Sequence, residues 1–150
     1  MAHIQLLAGQ TKHSDAGATI EKDYYIFEAV HKINGAKEVL KQGTLVFIRK
    51  EDTHCYEYTS NKNVSFINLS FDSDILMELF SYLTDGCGAQ ELLSSPLPPS
   101  VVLNEGDIHW FIKQIEMLNA TSSSDIPLLK YRCRLLLLKV FTRYFVPLVE

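Results

Sequence analysis

Apolar residues in the first half of the chain come in short runs separated by polar breaks, a pattern typical of closely spaced β strands. Leu45–Ile48 is a continuous apolar run, as expected of a strand buried on both faces. The segment Arg49–Thr53 is charged and not expected to pack, so it predicts a turn, as does the polar segment Ser60–Asn63. Val64–Phe71 predicts a further strand. Short strands joined by short polar turns favour an antiparallel meander or a barrel.

The strand between these two turns carries aromatic side chains at every second position. His54, Tyr56 and Tyr58 lie on one face, and Cys55 and Glu57 lie on the other. Because neighbours in a strand point to opposite faces, His54 and Cys55 cannot pair as base and nucleophile. No catalytic residue is therefore predicted.

Further strands are predicted upstream. Ala2–Ala8 alternates weakly, and Thr19–Ile33 holds enough apolar residues for one long bent strand or for two strands. The Asn34-Gly35 dipeptide is the strongest hairpin signal in the chain, because both positions tolerate positive φ. Glu38–Leu40 then predicts the returning strand, which places the strands in roughly the first half of the chain.

In the second half of the chain, apolar residues recur at helical spacing. Helices are predicted from a cap at Asp72 or Ser73 through Tyr82, over 105–119 and over about 125–145. Asn104 is expected to cap the second of these helices. Between the first two, Val101–Leu103 can either add a strand or simply pack against the core.

One motif in the strand region has a family resemblance. The stretch from 43 to 54 is G-T-L-V-F-I-R-K-E-D-T-H, in which Gly43, Arg49, Asp52 and His54 stand out. A glycine, an apolar run, a short acidic turn and a histidine resemble the second half-motif of the cupin barrel. With the Asn34-Gly35 hairpin ahead of it, the stretch resembles the amino-terminal sensing domain of AraC-type bacterial transcription regulators, nearest to regulators of chito-oligosaccharide and related sugar operons. A weaker match across the later helices extends the resemblance over most of the chain.

The resemblance implies a mainly β fold with added helices. It places a cupin-like, jelly-roll type antiparallel barrel over 1–71 and a helical subdomain over 72–150, within one structural domain. The implied function is ligand sensing and dimerisation, with DNA contacted only through a helix-turn-helix domain absent from this chain. The expected partners are a small-molecule effector, a saccharide, bound in the barrel, and a second copy of the chain. The alternative is a stand-alone metal-dependent cupin enzyme acting on a sugar or small acid.

Five residues are candidates for the ligand-binding site: His54, Tyr56, Tyr58, Asn68 and Glu28. Aromatic rings stack on the C–H faces of sugars, and polar side chains give fixed hydrogen-bond partners. Asn68 shares a predicted face with Phe66 and Ser70 and can both donate and accept in a cavity. The alternative for His54 is a satisfied structural histidine, and for Glu28 it is an outward-facing strand residue.

Neither a metal nor a cofactor is predicted. In cupins the first half-motif supplies a His-x-His pair and a Glu, and the positions that align with them here are Ile20 (or Glu21), Lys22 and Ile26. An alignment on His13 instead retains that histidine alone. His54 therefore lacks the companions of a transition-metal site, which disfavours the enzyme alternative.

The final helix has an unusually wide apolar sector of roughly 200°, about twice what one packing surface needs. Leu136, Val140 and Tyr144 follow one edge of this sector at spacings of four. Given the resemblance, we expect this edge to form a dimer interface, with Leu138 and Phe145 facing the chain's own core. The alternative is a helix sunk between the barrel and the preceding helix.

Bulk properties limit the remaining classes of function. The chain has 150 residues, the length of one domain, and a net charge of −4, which gives no general attraction for nucleic acid or acidic membranes. Its three cysteines are widely spaced and odd in number, as expected in a reducing compartment. No signal peptide or apolar run of membrane-spanning length is evident. A cytoplasmic location is therefore expected.

Overall fold

Seven β strands and four α helices occupy the residues that the computed structural model describes, namely 2–11, 28–57, 63–83, 89–122 and 124–149. The strands are β1 (Ala2–Thr11), β2 (Glu28–Ile33), β3 (Ala36–Lys41), β4 (Thr44–Ile48), β5 (His54–Glu57), β6 (Asn63–Phe71) and β7 (Ser100–Val102). The helices are α1 (Ser73–Tyr82), α2 (Ala89–Ser94), α3 (Glu105–Asn119) and α4 (Ile126–Val140). A π-helical turn (Phe141–Phe145) and a short 3-10 helix (Val146–Leu148) continue α4.

The strands form two antiparallel sheets. The large sheet has the strand order β6-β1-β4-β7, and the small sheet has the order β3-β2-β5. The predicted hairpin between β2 and β3 is confirmed, with φ of 48° at Asn34 and 82° at Gly35. Between the sheets, the described strands meet through side chains: the rings of Tyr56 on β5 and Phe66 on β6 lie 4.3 Å apart. Within the described residues the predicted closed barrel is therefore observed as two packed sheets without a closing strand pair.

The large sheet is covered on both faces, which confirms the prediction for the apolar run of β4. Leu45 and Phe47 belong to a core shared with the helices, whereas Val46 and Ile48 belong to a second core shared with the small sheet. Alternation along one strand thus supplies two cores. A strand in this position needs apolar residues on both faces, and β4 has them.

The helical half of the chain contributes to the large sheet. Strand β7 pairs with β4, so that Val101 lies opposite Leu45 and Val102 opposite Thr44. Leu103 N donates to the Gly43 carbonyl over 2.9 Å and extends this contact. The predicted boundary at residue 72 therefore separates the sheet-forming first half from a second half that still donates an edge strand to the same sheet.

The helix starts follow local capping rules. Asn104 accepts a 2.8 Å hydrogen bond from Asp107 N at the start of α3, as predicted. Asp125 accepts one of 3.1 Å from Leu128 N at the start of α4. In the described part of the chain, no helix is both long enough and apolar enough to span a bilayer.

The turn after β4 departs from the expectation that its charges cannot pack. The side chains of Arg49 and Asp52 are only 6% and 3% exposed, and they form a two-pronged ion pair with both distances at 2.9 Å. Arg49 Nη1 also donates to the carbonyls of Leu92, Leu93 and Ser95 at the end of α2. Buried charges are tolerated when paired and fully hydrogen-bonded, and Arg49 meets both conditions.

The last helix is where the structure corrects the sequence prediction most clearly. Leu136, Val140 and Tyr144 are 4%, 0% and 8% exposed and belong to the chain's own core. The predicted dimer edge was therefore wrong, because α4 packs against α1 and α3, and the π-helical turn packs onto the sheet. Burial on several sides explains the wide apolar sector. The exposed edge of α4 instead carries Tyr131 and Leu135, which are 65% and 53% exposed.

Candidate ligand-binding face between the sheets

The two sheets face each other across a layer of alternating side chains, which we call the inner face. Its apolar part consists of Leu7, Ala29, Leu40, Val46 and Ile48, drawn from both sheets. On β5, His54 and Tyr56 turn toward this face. Cys55 is exposed, and Glu57 pairs with two lysines, Lys32 at 2.8 Å and Lys37 at 3.2 Å. The structure thus places His54 and Tyr56 on the side that the alternation predicts.

Tyr56 begins a hydrogen-bonded chain that crosses from the small sheet to the large one. Its hydroxyl donates to Gln5 Oε1 on β1. Gln5 Nε2 donates in turn to Asn68 Oδ1 on β6 over 2.7 Å. Gln5 and Asn68 are register partners in the β1–β6 ladder, so the sheet itself holds the two amides side by side. The chain joins two predicted site residues, Tyr56 and Asn68, through one that was not predicted.

A pair of histidines lies beside this chain. His31 Nε2 and His54 Nδ1 are 3.1 Å apart, and the two rings meet edge to face. His31 also stacks on Tyr56 with ring centroids 4.4 Å apart and an angle of 14°. His31 is fully buried, whereas His54 is half-buried. The pair therefore connects the buried interior to the accessible part of the inner face.

Both histidines are held neutral near pH 7. Burial, and then the neighbouring His54, lower the pKa of His31 from 6.5 to about 4. Burial, and then the nearby His3, lower the pKa of His54. Burial also raises the pKa of Tyr56, which keeps its hydroxyl protonated as a donor. The inner face is thus lined by uncharged polar groups at these three positions.

The low pKa of His31 predicts a loss of stability in acid. The unfolded chain binds this proton first as the pH falls below about 6.5, so the free energy of unfolding decreases until the pH passes about 4. The expected loss is about 3 kcal/mol. Urea unfolding of the wild type and of His31→Phe at pH 7 and pH 4 measures it, with the exposed His109→Gln as control. Equal acid losses in the wild type and His31→Phe would contradict the assignment.

The open side of the inner face is polar. His3 Nδ1 and Ser70 Oγ are 2.7 Å apart, and both Asn68 and Ser70 are exposed. The Tyr56 and Phe66 rings border these groups with an apolar wall. A small molecule arriving from solvent at this side meets polar groups next to aromatic faces, the composition of many small-molecule sites.

The remaining predicted site residues are not tested by this arrangement. Tyr58 lies outside the described residues, and of Glu28 only the backbone is described, opposite Lys41 in the β2–β3 ladder. Sequence reasoning missed Gln5, His31 and His3. Gln5 could have been found from the alternation of Ile4 and Leu6 with polar neighbours in β1. No sequence signal pointed to His31, because its importance comes from β5 lying beside β2.

Metal binding finds no support in this geometry. Among the described residues, no group of three or more His, Cys, Asp or Glu side chains is placed to hold a metal ion. We still expect the purified chain to contain much less than one transition metal per molecule. Elemental analysis tests this, with His54→Ala as the matched variant. About one zinc, iron or manganese per chain in the wild type, lost in His54→Ala, would refute the expectation.

Comparison with known proteins supports one family. A search of the curated proteins finds no significant match to the chain. The model of the family described as AraC-like ligand binding domain matches residues 28–116, more than half of the 150 residues. The match includes β2 to β6 and therefore His31, His54, Tyr56 and Asn68. The chain belongs to the AraC-like ligand binding domain family, which comprises sensing domains of AraC-type regulators.

Proposed function

We propose that this chain is the ligand-sensing and dimerisation domain of an AraC-type transcription regulator and that its effector is a saccharide. The observation behind the proposal is the Tyr56–Gln5–Asn68 chain, which lies beside the apolar residues and aromatic rings of the inner face. Sugars need both kinds of surface, because their C–H faces stack on rings while their hydroxyls need fixed polar partners. The described inner face offers both side by side.

The proposed mechanism is a shift between two packing states. The inner face is built from both sheets, so a ligand bridging Tyr56 and Asn68 changes how the sheets pack on each other. The other face of β4 packs on the last helix through Phe47 and Phe141, whose rings are 5.0 Å apart. A change at β4 therefore reaches the helix that would orient a separate helix-turn-helix domain. The domain itself is proposed to have no enzymatic activity and to act in the cytoplasm.

A thermal-shift screen against saccharides tests ligand binding. A ligand at 100 times its dissociation constant adds about 2.7 kcal/mol to the free energy of unfolding, which raises the melting temperature by several degrees. Tyr56→Phe removes only the hydroxyl that starts the chain and should weaken this shift. Cys55→Ser, on the outer face of the same strand, is the matched control and should leave the shift unchanged. Equal shifts in both variants would exclude the inner face as the site.

The exposed surface of α3 and α4 is the proposed dimer interface. Tyr131 and Leu135 on α4 and Met117 on α3 are all more than half exposed, and a groove of about 210 Å³ runs between the two helices. A monomer seldom leaves such a surface in water. A twofold axis would bring the same surface of two copies together.

Charged substitutions on this surface should dissociate the dimer. The Tyr131→Asp, Leu135→Asp double variant is expected to elute as a folded monomer, because each substitution acts twice across a twofold axis. Light scattering at tens of micromolar measures the mass, and circular dichroism checks the fold. Met77→Asp on α1, also an exposed apolar position at 60%, is the matched control and should remain dimeric. A monomeric wild type at this concentration would refute the interface.

A further inference from the structure

The hydrogen-bonded chain at Tyr56 has a fixed direction. The Tyr56 proton needs an acceptor, and within the described residues its hydroxyl contacts only Gln5 Oε1. Gln5 must therefore turn its amide N–H toward Asn68 Oδ1, as the 2.7 Å contact shows. Asn68 is then used as an acceptor through its oxygen. Its Nδ2 remains a donor with no partner in the described part, on an exposed side chain.

The hydrogen bond between His31 and His54 also has a defined donor and acceptor. His31 Nδ1 is buried and has no hydrogen-bond partner among the described residues. A buried N–H without an acceptor is costlier and rarer than an unused lone pair, so the proton of neutral His31 lies on Nε2. It is donated to His54 Nδ1 across the 3.1 Å contact. Neutral His54 carries its own proton on Nε2, which is a second donor without a partner among the described residues.

The hydrogen-bonded pair of His3 and Ser70 adds another free donor, whichever of the two residues donates to the other. If Ser70 donates to His3 Nδ1, neutral His3 carries a proton on Nε2; if His3 donates to Ser70 Oγ, the Ser70 hydroxyl proton is free. In the second state His3 Nε2 is an acceptor as well. In the two directed chains, Gln5 Oε1, Asn68 Oδ1 and His54 Nδ1 each already accept one hydrogen bond, and the unused acceptor His31 Nδ1 is buried. Among the accessible polar atoms of the described inner face that make no hydrogen bond, donors therefore outnumber acceptors.

From this imbalance we infer that the effector presents a carboxylate to Asn68 Nδ2 and His54 Nε2, and hence that it is a sugar acid or similar small acid. A carboxylate offers only acceptors, whereas every sugar hydroxyl also needs an acceptor for its own proton. Hydrogen bonds to a charged acceptor are the stronger kind. This inference rests on the proposed ligand site and narrows the class of ligand.

The charged groups around the site permit an anion. Asp52 is the acidic group that acts on both histidines, and its charge is matched by Arg49. Glu38 lies opposite His31 on the β3 side of β2, whereas His54 lies on the β5 side. His3 is the remaining neighbour that acts on His54.

Matched pairs of sugars test the inference directly. Wild-type protein is heated with glucuronate and glucose, and with galacturonate and galactose, each pair differing only in the carboxylate. We expect at least one acid to raise the melting temperature while its parent sugar does not. If the parent sugars raise the melting temperature as much as the acids do, the inferred carboxylate is wrong, whereas the proposal of saccharide sensing is supported. If no member of either pair changes the melting temperature, the inference of a sugar acid is rejected. The proposal of saccharide sensing is then rejected for these four sugars.

A single isosteric substitution gives a second readout. Asn68→Asp keeps the oxygen that accepts from Gln5 Nε2 but replaces the free donor by a negatively charged acceptor. The exposed position should tolerate it. Affinity for the acid is expected to fall at least about tenfold, and Asn119→Asp, the same change at an exposed site on α3, should leave it unchanged. An unaltered affinity in Asn68→Asp would show that Asn68 does not meet the carboxylate.

Discussion

Replacing Arg49 by methionine should lower the free energy of unfolding by about 3 to 5 kcal/mol, the usual cost of removing one member of a buried ion pair. The change leaves Asp52 charged at 3% side-chain exposure without its partner. It also removes the donor to three carbonyls at the end of α2. The free energy of unfolding of a domain of this size is roughly 5 to 15 kcal/mol in total. The variant should therefore be close to unfolding.

The controls for this prediction lie in the same turn. Lys50→Met and Glu51→Gln change charges at exposed positions and should alter stability by less than about 0.5 kcal/mol. Urea unfolding of the three variants measures the differences. If Arg49→Met costs no more than Lys50→Met, the ion pair does not stabilise the fold. Arg49 would then be retained for another reason.

The stability that the Arg49–Asp52 ion pair contributes is expected to decrease at low pH. Burial disfavours the charged form of Asp52, but hydrogen bonds from Arg49 and Asn34 outweigh burial and give a net lowering of its pKa. The stability from this group is therefore present above the unfolded pKa, near 4. It is lost as the pH falls through the folded pKa. This loss occurs at lower pH than the one expected from His31, so the two groups can be separated by titration.

Placing aspartate at both Leu136 and Val140 should unfold the domain instead of dissociating a dimer. Both side chains are buried in the core between the large sheet and the helices. Two unpaired charges there would have to be desolvated in addition to the lost apolar contacts, for a cost of more than about 5 kcal/mol. Circular dichroism should show loss of the cooperative thermal transition.

The matched comparison is the double variant Tyr131→Asp, Leu135→Asp on the exposed edge of the same helix. It introduces the same charge at positions that are more than half exposed and should stay folded. A folded Leu136→Asp, Val140→Asp protein would contradict the burial of this edge. It would restore the original prediction that these residues form the dimer interface.

Some features followed from local physical chemistry and were correctly predicted. The Asn34-Gly35 hairpin needs only two residues that accept positive φ, and both adopt it. The cap at Asn104 depends on a side chain three residues from its donor. Alternation in β5 determined that His54 and Tyr56 share a face. Each of these signals is contained within a few neighbouring residues, so the chain's own sequence is sufficient.

Tertiary structure decided what each face meets. A helical wheel shows that α4 is apolar over a wide sector, but it does not show that Leu136 packs inward and Leu135 outward. The charged turn at Arg49 suggests an exposed segment, but the Arg49 side chain is buried because it donates to carbonyls more than forty residues away. The same holds for His31 and His54, joined by the pairing of β2 with β5. Residue spacing specifies which side chains share a face, whereas the covering element and hydrogen-bond partners come from distant segments that only folding brings together.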